Sequence, residues 1–209
     1  MRIACIGYGN VGGALADRLQ RAGHEVVLSA TSSDGVRAML ARNPRLLVAA
    51  PAEAVRSAEV VVLATPYQAN QGVLAGLARE LEGKILVDCT NPVGPGLTHG
   101  LGSTRSGTET IQAQLPQTRV VKAFSIYGFE NFQDSSYPGY GVMPAMLFCG
   151  NDAAAKQVIA TLIEQLGWEP LDVGGAEQAL HLEHMTLLWV RMVRAGGRSP
   201  HMVWAVLRR

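Results

Sequence analysis

Short apolar runs alternate with longer amphipathic stretches along most of this chain. Apolar runs of a few residues are typical of buried strands, and apolar residues at three- and four-residue spacing are typical of helices. The first run, residues 3–6, leads into a glycine-rich turn and then into a stretch with Val11, Leu15 and Leu19 on one helical face. A second apolar run follows at residues 26–28. The pattern therefore predicts strand, turn, helix and strand within about thirty residues.

The same alternation continues toward the C-terminus. Apolar runs predict further strands at residues 46–48, 59–64, 85–88, 120–124, 145–149 and 168–173. Helices are expected at residues 36–42, 51–56, 69–81, 108–115, 153–166 and 176–194, with Asn151 or Asp152 capping the fifth of them. Strands that alternate with helices favour an α/β fold, here a Rossmann-type, doubly wound and mostly parallel sheet.

Two segments interrupt this alternation. Residues 94–107, rich in Gly, Ser and Thr, predict a long loop, which is either a lid or binding loop or is disordered. After Ser125 the chain becomes dense in Gly, Pro and Tyr before the last strands. We therefore expect a Rossmann domain over residues 1–125 and a small C-terminal α/β portion, residues 126–209, packed against it.

The glycine-rich turn has the spacing of a dinucleotide-binding motif. In such motifs the first glycine permits a tight turn, the second leaves room for a pyrophosphate, and the third allows close packing of helix and sheet. The helix N-terminus behind the turn then presents free N–H groups to the phosphates. The predicted cofactor contacts of this motif are Gly7, Tyr8, Gly9, Asn10, Val11 and Gly12.

The end of the second strand indicates which dinucleotide binds. NAD-specific sites carry an Asp or Glu there for the ribose 2′-hydroxyl, whereas residues 28–33 of this chain contain no carboxylate. The hydroxyls of Thr31 and Ser32 can donate hydrogen bonds to a 2′-phosphate, and Arg37 follows within reach of the same pocket. Alternatively, these hydroxyls only cap the next helix, although the two roles are compatible. The sequence favours NADP(H).

Polar residues at two further strand ends extend this site. In a doubly wound sheet, ligands bind beyond the carboxyl ends of the strands. The fourth predicted strand ends at Thr65, Pro66 and Tyr67, and the fifth leads to Asn91 and Pro92. We expect the first group to face the cofactor and the second to lie at its nicotinamide end, with a plain turn as the alternative for the second.

Composition narrows the class of protein. The chain has 209 residues, of which 48% are hydrophobic and 17% charged, and a net charge of +1, which fits a globular protein without the basic surface of a nucleic-acid-binding protein. We see neither a run of membrane-spanning length nor a signal peptide, and therefore expect a cytoplasmic protein. Cys5, Cys89 and Cys149 lie in or at the ends of predicted strands and are expected to be core residues.

Seven segments in order resemble one known family: Gly7-Tyr8-Gly9-Asn10-Val11-Gly12-Gly13, Ala64-Thr65-Pro66-Tyr67, Asp88-Cys89-Thr90-Asn91-Pro92, Val121-Lys122-Ala123-Phe124, Gly128-Phe129-Glu130-Asn131, Phe148-Cys149-Gly150-Asn151-Asp152 and Leu166-Gly167-Trp168-Glu169-Pro170. The chain is similar to the NADPH-dependent reductases of the deazaflavin coenzyme F-420 and their bacterial relatives. The same fold recurs in the reductase domain of transmembrane ferric reductases.

This resemblance implies NADP(H) binding and direct hydride transfer to a flavin-like or deazaflavin acceptor. A homodimer is expected because the helix predicted at residues 176–194 and the tail at residues 202–207 are strongly apolar, and the resemblance points the same way. The resemblance also implies cofactor contacts from the glycine turn and from Thr31, Ser32, Thr65, Pro66 and Asn91. Two positions depart from the family pattern. Relatives commonly carry an arginine where this chain has Ser32-Ser33, and an asparagine where it has Ser125.

Residues near the sixth strand end are candidates for the acceptor side. Phe124 and Ser125 either contact the acceptor or pack in the core. Tyr127, Glu130 and Asn131 either line the acceptor pocket or, for the last two, cap a helix. The C-terminal portion is expected to carry both this pocket and the dimerisation surface.

The remaining polar residues suggest no side-chain catalyst. Lys122 is interpreted as a solvated strand end rather than a charge for an anionic acceptor. His181 and His184 share a helical face, but apolar residues surround them, so no metal site is predicted. We assign no catalytic residue, since hydride transfer needs alignment of two redox groups more than an acid or base. The alternatives are a non-catalytic NADP(H) sensor and a ferric or flavin reductase.

Overall fold

The computed structural model describes residues 1–29, 36–37, 40–41 and 43–209. Among these residues the strands are β1 (Arg2–Ile6), β2 (Glu25–Ser29), β3 (Leu47–Ala49), β4 (Val60–Leu63), β5 (Ile85–Asp88), β6 (Val93–Gly94), β7 (Thr98–His99), β8 (Arg119–Lys122), β9 (Ala145–Gly150) and β10 (Glu169–Asp172). One sheet has the order β3-β2-β1-β4-β5-β8-β9-β10, and β6 pairs with β7 separately. Within the described part of the large sheet only β8 and β9 pair antiparallel, which confirms the expected mostly parallel, doubly wound architecture.

Helices cover both faces of this sheet. In the described residues they are α1 (Asn10–Arg21), α2 (Pro51–Ser57), α3 (Asn70–Ala75), α4 (Ala78–Leu81), α5 (Gly107–Gln114), α6 (Phe129–Gln133), α7 (Ala153–Gln165) and α8 (Ala179–Val190). A π-helical turn, Arg191–Ala195, continues α8. Asp152 caps α7, because its carboxylate accepts a hydrogen bond from the Ala155 N–H at 2.7 Å. The helix predicted at residues 36–42 lies partly outside the described residues.

Two predictions about local structure were wrong. The helix predicted at residues 69–81 is divided into α3 and α4, because α3 ends at Ala75 and is followed by Gly76, a residue of low helix propensity. The segment 94–107, predicted as a loop, contains all but the first residue of the β6–β7 hairpin, whose turn passes through Gly96 at a φ of 64°. Glycine adopts that left-handed conformation without steric cost.

The core lies in two layers, one on each face of the sheet. Every residue of β4 and β5 is buried, as expected of central parallel strands. One layer contains apolar residues of α1, α7 and α8, and the other contains those of α2, α3 and α5. Cys5, Cys89 and Cys149 are buried and unpaired, as the sequence predicts.

The strand order places a crevice beside the glycine turn. The chain leaves β1 toward β2 on one side, and β4 lies on the other side of β1. Crossovers in opposite directions from a central strand leave a crevice at the carboxyl ends, where ligands bind in open α/β sheets. Here Gly7 follows β1 and Thr65 follows β4 closely, so both lie at this crevice.

The C-terminal residues extend the same sheet. β9 and β10 form its edge, and α8 packs within the core layer that also contains α1. Hydrogen bonds tie the final segment back to the sheet and to α8, among them those from the Ala145 N–H to the Trp204 carbonyl at 2.8 Å and from Trp189 Nε1 to the Met202 carbonyl at 2.7 Å. The division at residue 125 stays a prediction. Across the ranges described above, no helix has the length and apolar character needed to cross a membrane.

Candidate functional site

The three glycines of the turn are required for different reasons. Gly7 has a φ of 91°, and a Cβ there would lie 2.6 Å from the Ala64 carbonyl oxygen. A Cβ on Gly12 would lie 2.0 Å from the Gly7 carbonyl oxygen. A Cβ on Gly9 would meet nothing within 4 Å. The fold itself therefore requires Gly7 and Gly12, whereas the space above Gly9 is open.

The open space above Gly9 belongs to a cleft of about 950 Å³ at the switch point of the sheet. The N-terminal N–H groups of α1 begin here, with Gly9 as the N-cap and no side chain capping them. Such a helix N-terminus favours a phosphate. The lining includes half of the predicted cofactor residues, namely Gly7, Tyr8, Gly9, Asn10, Val11, Thr65 and Pro66. These residues fit a dinucleotide whose pyrophosphate lies against Gly9.

One wall of this cleft was missed from the sequence. Gly72 and Gly76 lie four residues apart at α3, and with Val73 and Leu77 they line the cleft. Residues at this spacing share a helical face. The pair of glycines presents backbone rather than side chains, which leaves room for a flat ring. Two glycines four residues apart in the helix predicted at residues 69–81 could have indicated that this helix lies against a ligand.

The other predicted cofactor residues have varied positions. Thr31 and Ser32 lie outside the described residues, and Arg37 is exposed. Tyr67 lines neither this cleft nor the acceptor cleft described below; a Cβ on Gly107 would lie 2.6 Å from its ring, so Tyr67 faces the start of α5. Pro92 is buried, and its carbonyl oxygen accepts the Gly100 N–H at 2.6 Å, which closes the hairpin.

A second cleft, of about 610 Å³, opens at the ends of β5 and β8; we call it the acceptor cleft. It contains Asn91, Phe124, Ser125 and Tyr127, together with residues of α6 and α8. Asn10 and Val11 line both clefts, so the two meet at the N-terminus of α1. A ligand in the first cleft and a ligand in the second are therefore brought together at this junction.

Asn91 is fixed at the edge of the acceptor cleft. Its Nδ2 donates to the Ser125 carbonyl oxygen at 3.0 Å, and its Oδ1 accepts from Thr186 Oγ1 at 3.1 Å. The Ser125 carbonyl oxygen, 3.0 Å from Thr186 Oγ1, is an alternative acceptor for the single proton of this hydroxyl. These bonds join the ends of β5 and β8 to α8. Thr186 was not predicted, since nothing in the sequence of α8 distinguishes it from a core hydroxyl.

The backbone at Phe124 is strained. Its φ of 52° is unfavourable for a residue with a large side chain, and such strain is concentrated at functional sites. The Phe124 ring packs edge-on against Phe132, with 6.2 Å between centroids, so it also contributes to the core. Ser125 Oγ is buried and has no hydrogen-bond partner among the described residues. The strained turn places an unpaired hydroxyl beside the acceptor cleft.

The titratable groups that line the acceptor cleft in the described residues are engaged in the fold. Tyr127 donates its hydroxyl to the Ala145 carbonyl at 2.8 Å and accepts the Trp204 N–H at 3.0 Å, and burial raises its pKa. Burial likewise raises the pKa of the Cys89 thiol. Glu130 pairs with Arg194 at 2.7 Å, and the Arg194 guanidinium lies 5.4 Å from the centre of the Trp189 ring. The described titratable side chains that line this cleft therefore offer no free proton donor, and the unpaired hydroxyl here is that of Ser125.

Gly128 leaves space for the side chains of Glu130 and Trp189. A Cβ there would lie 2.4 Å from Glu130 Oε2 and 2.5 Å from the Trp189 ring. Gly128 also serves as N-cap of α6, with no side-chain cap. Asn131 is fully buried and donates to the Pro200 carbonyl at 2.8 Å, so its amide holds the C-terminal segment rather than lining the cleft.

The interpretation of Lys122 as a solvated strand end was wrong. Its ammonium is fully buried, 3.2 Å from Asp88 Oδ2 and 3.3 Å from Glu183 Oε1, and it also donates to the Thr90 carbonyl oxygen. Burial lowers the pKa of Lys122, but the two carboxylates outweigh it and leave the pKa above its ordinary value. Lys122 therefore carries a buried positive charge. The sequence could not show this, since Glu183 is 61 positions away.

His99, in strand β7 of the hairpin, contacts Glu183 on the side away from Lys122 Nζ, through the other carboxylate oxygen. Its Nε2 lies 2.8 Å from Glu183 Oε2, and its Nδ1 accepts the N–H groups of Leu101 and Ser103 at 3.3 Å. These contacts place the proton on Nε2, so that His99 donates to the carboxylate. His184 is exposed, with its ring 5.3 Å from that of His99, and His181 is exposed as well.

Comparisons with known proteins agree with this geometry. The family model for the coenzyme F420-dependent NADP oxidoreductases matches residues 2–92. The F420-dependent NADP reductase of Methanothermobacter marburgensis is 30% identical over 213 residues, which cover 92% of each chain. The crystal structure of a candidate F420-dependent NADP reductase from Arthrobacter sp. FB24 superposes with a TM-score of 0.89 at 31% identity and covers 100% of both chains.

The chain is also similar to metalloreductases. Metalloreductase STEAP3 of Rattus norvegicus is 30% identical over 187 residues, which are 89% of this chain but 36% of that protein. The chain thus spans about a third of the length of this relative. The likeness is to one part of the metalloreductase.

The glycine turn alone occurs on many dinucleotide-binding proteins of unrelated activity. Identity of 30% across 92% of both chains is far more specific, because it includes the strand ends and the C-terminal helices as well as the turn. This chain belongs to the family of F420-dependent NADP oxidoreductases.

Proposed function

We propose that this protein transfers a hydride between NADP(H) and a deazaflavin acceptor of the coenzyme F420 type. The observation that carries the proposal is the junction of the two clefts at Asn10 and Val11. The cleft above Gly9 suits the dinucleotide, and the acceptor cleft suits a second planar group. A protein that only sensed NADP(H) would not need the second cleft. Flavins and ferric complexes are the alternative acceptors.

The residues of this chain would act by alignment. NADPH, when bound, supplies the hydride from its nicotinamide. Asn91 and the strained Phe124–Ser125 turn would hold the reacting rings in contact, and Trp189 and Val190 would exclude water from the acceptor cleft. Since the lining hydroxyl of Tyr127 is engaged in the fold, the proton that completes reduction of a deazaflavin would come from solvent.

The test is an NADPH oxidation screen. The protein is mixed with NADPH and, in separate reactions, F420, FMN, FAD or ferric citrate, and absorbance is followed. Turnover with F420 well above that with the other acceptors supports the proposal. Turnover with flavin or ferric citrate alone would assign the acceptor differently, and binding of NADPH without turnover would indicate a sensor.

We expect a preference for NADP(H) over NAD(H). β2 ends at Ser29 without a carboxylate for the ribose, and Ser29 lines the cleft. Titration of both cofactors by fluorescence should show at least about a tenfold difference in Kd, or about 1.4 kcal/mol. Thr31→Asp should shift the preference toward NAD(H), because a carboxylate there would repel the 2′-phosphate. Equal affinities in the unmodified protein would contradict this assignment.

We expect Ser125→Ala to lower turnover only modestly, within roughly tenfold, with the NADPH affinity unchanged. The reason is that alignment, and not proton donation from Ser125, limits the reaction. Steady-state kinetics with the best acceptor provide the measurement. A loss of about a thousandfold at constant NADPH affinity would show general acid catalysis by Ser125 and overturn the proposed mechanism.

We also propose that the protein is a cytoplasmic homodimer. Much of the apolar surface of α8 is covered by this chain itself, since Leu182, Leu187 and Trp189 are buried, but Leu188 remains 51% exposed. Tyr140, Met143 and Leu207 are exposed as well. Unpaired cysteines are consistent with a reducing compartment. Light scattering should give twice the chain mass of 22.3 kDa at micromolar concentration, and a monomer would contradict the dimer.

A further inference from the structure

A buried ion cluster lies at the carboxyl ends of β5 and β8. We call Asp88, Lys122 and Glu183 the Lys122 cluster; their side chains are at most 1% exposed. The three acceptors of the Lys122 ammonium are Asp88 Oδ2, Glu183 Oε1 and the Thr90 carbonyl oxygen. An ammonium has three donors, so this one is fully satisfied.

The two carboxylates are also fully used. Asp88 accepts from the Thr90 N–H at 2.9 Å and from the hydroxyls of Thr90 and Thr108 at 2.7 Å each. Glu183 accepts from His99 Nε2 and from the Gly107 N–H at the start of α5. Every contact comes from a donor, which is the pattern expected of two ionised carboxylates. The cluster thus joins β5, β8, α5, α8 and the hairpin in one arrangement.

From this cluster a chain of hydrogen bonds runs to the cleft above Gly9, which we call the cofactor cleft. Thr90 Oγ1, held by Asp88, accepts from Asn70 Nδ2 at 2.8 Å. Asn70 Oδ1 accepts from Thr65 Oγ1 at 2.7 Å, and Thr65 lines the cofactor cleft. In the other direction, Asn91 follows Thr90 directly and lines the acceptor cleft. The same three charges therefore fix one residue in each cleft.

Stability alone does not account for this arrangement. Buried ion pairs can often be replaced by apolar residues of similar volume without loss of stability, because desolvation of the charges offsets their attraction. What apolar residues cannot supply is a fixed geometry for the Thr90 carbonyl and hydroxyl groups. The hydrogen bonds of the cluster lead to Thr90, next to Asn91 in the acceptor cleft, and through Asn70 to Thr65 in the other cleft, which points to a role in alignment.

We propose that Lys122 is a positioning residue for hydride transfer, which holds the Thr90–Asn91 segment and, through Asn70, Thr65 in the geometry that aligns the nicotinamide half of NADP(H) with the acceptor. Lys122 does not touch either ligand, and its effect passes through the Thr90 carbonyl oxygen. This inference rests on the proposed function for its kinetic consequence, but its effect on cofactor binding is independent of turnover.

The test removes all three charges at once. The triple variant Asp88→Asn, Lys122→Met, Glu183→Gln keeps the side-chain volumes similar and leaves no carboxylate without a counter-charge. We measure Kd for NADPH and for 2′,5′-ADP, a fragment that lacks the nicotinamide, by calorimetry. We expect 2′,5′-ADP to bind within about threefold of its original affinity, and NADPH to lose at least about tenfold. In turnover, kcat should fall at least about thirtyfold, by more than KM for NADPH changes.

Two further variants separate an effect on cofactor alignment from a general loss of stability. Thr90→Val removes only the hydroxyl between Asp88 and Asn70, and should weaken NADPH relative to 2′,5′-ADP in the same direction by about threefold even if the triple variant does not fold. Arg18→Met is the matched control: Arg18 donates to Gln133, Ser135 and Leu166 away from both clefts. We expect the control to lower the melting temperature and leave the ratio of the two Kd values unchanged.

The outcomes separate this inference from the proposed function. A ratio of the two Kd values that is unchanged in both Thr90→Val and the folded triple variant would overturn the positioning role. Equal losses of NADPH and 2′,5′-ADP binding would also overturn it, because they would indicate general damage to the cleft. Absence of turnover in the unmodified protein with every acceptor would refute the proposed function. The ratio of the Kd values for NADPH and 2′,5′-ADP would still test whether Lys122 positions the bound cofactor.

Discussion

Gly9→Val should abolish cofactor binding while the protein remains folded. The Gly9 backbone is extended, with φ −67° and ψ −158°, and the Cβ of a valine there would have no neighbouring atom within 4 Å. That side chain would occupy the space against which the pyrophosphate is placed. We expect Kd for NADPH to rise at least about a hundredfold, which is about 2.8 kcal/mol, with a melting temperature within about 2 °C of the original.

Calorimetric titration and thermal melting of the same sample make this measurement. Binding of 2′,5′-ADP serves as an internal comparison, because this fragment lacks the pyrophosphate and should lose less affinity. Retention of NADPH affinity in folded Gly9→Val would show that the pyrophosphate does not lie at this turn.

Gly12→Val should have the opposite signature, a loss of stability. Its Cβ would lie 2.0 Å from the Gly7 carbonyl oxygen and 3.2 Å from the Ala64 Cβ, so α1 would have to move away from the sheet. Overpacking of this kind costs about 3 kcal/mol or more, which corresponds to a melting temperature lower by roughly 6–12 °C in a chain of this size.

Urea denaturation gives the free energy of unfolding, and Gly9→Val is the matched control, since it makes the same substitution three residues earlier. The stability of Gly9→Val should remain near that of the unmodified protein. If Gly12→Val were as stable as Gly9→Val, the close approach of α1 to the β1 turn would not be the reason for this glycine.

Local chemistry made part of this molecule predictable. Apolar runs predicted the buried strands, and residues 85–88 were predicted with the same limits that β5 has. The strand–turn–helix pattern was sufficient to predict the glycine turn, because the three glycines and the helix that follows lie together in sequence. Asp152 could be predicted as a cap for the same reason.

Features that depend on distant residues could not be predicted in this way. Lys122 resembles any lysine at a strand end, and only the topology brings Glu183 to it from α8. Tyr127 was a candidate for the acceptor side, yet its hydroxyl is held by Ala145 and Trp204, which the sequence places far away. The break in the predicted helix at residues 69–81 is different, since Gly76 was visible but helix periodicity outweighed it in the prediction.

The most direct test of the account is the fate of the transferred hydrogen. NADPH labelled with deuterium at C4, prepared in both stereochemical forms, is reacted with F420 and this protein in ordinary water, and the reduced deazaflavin is analysed by mass spectrometry. Hydride transfer across the junction at Asn10 and Val11 predicts that one labelled form, and only one, delivers its deuterium to the deazaflavin ring. Reduced F420 without deuterium from either form, or no reduction at all, would contradict direct transfer between the two clefts.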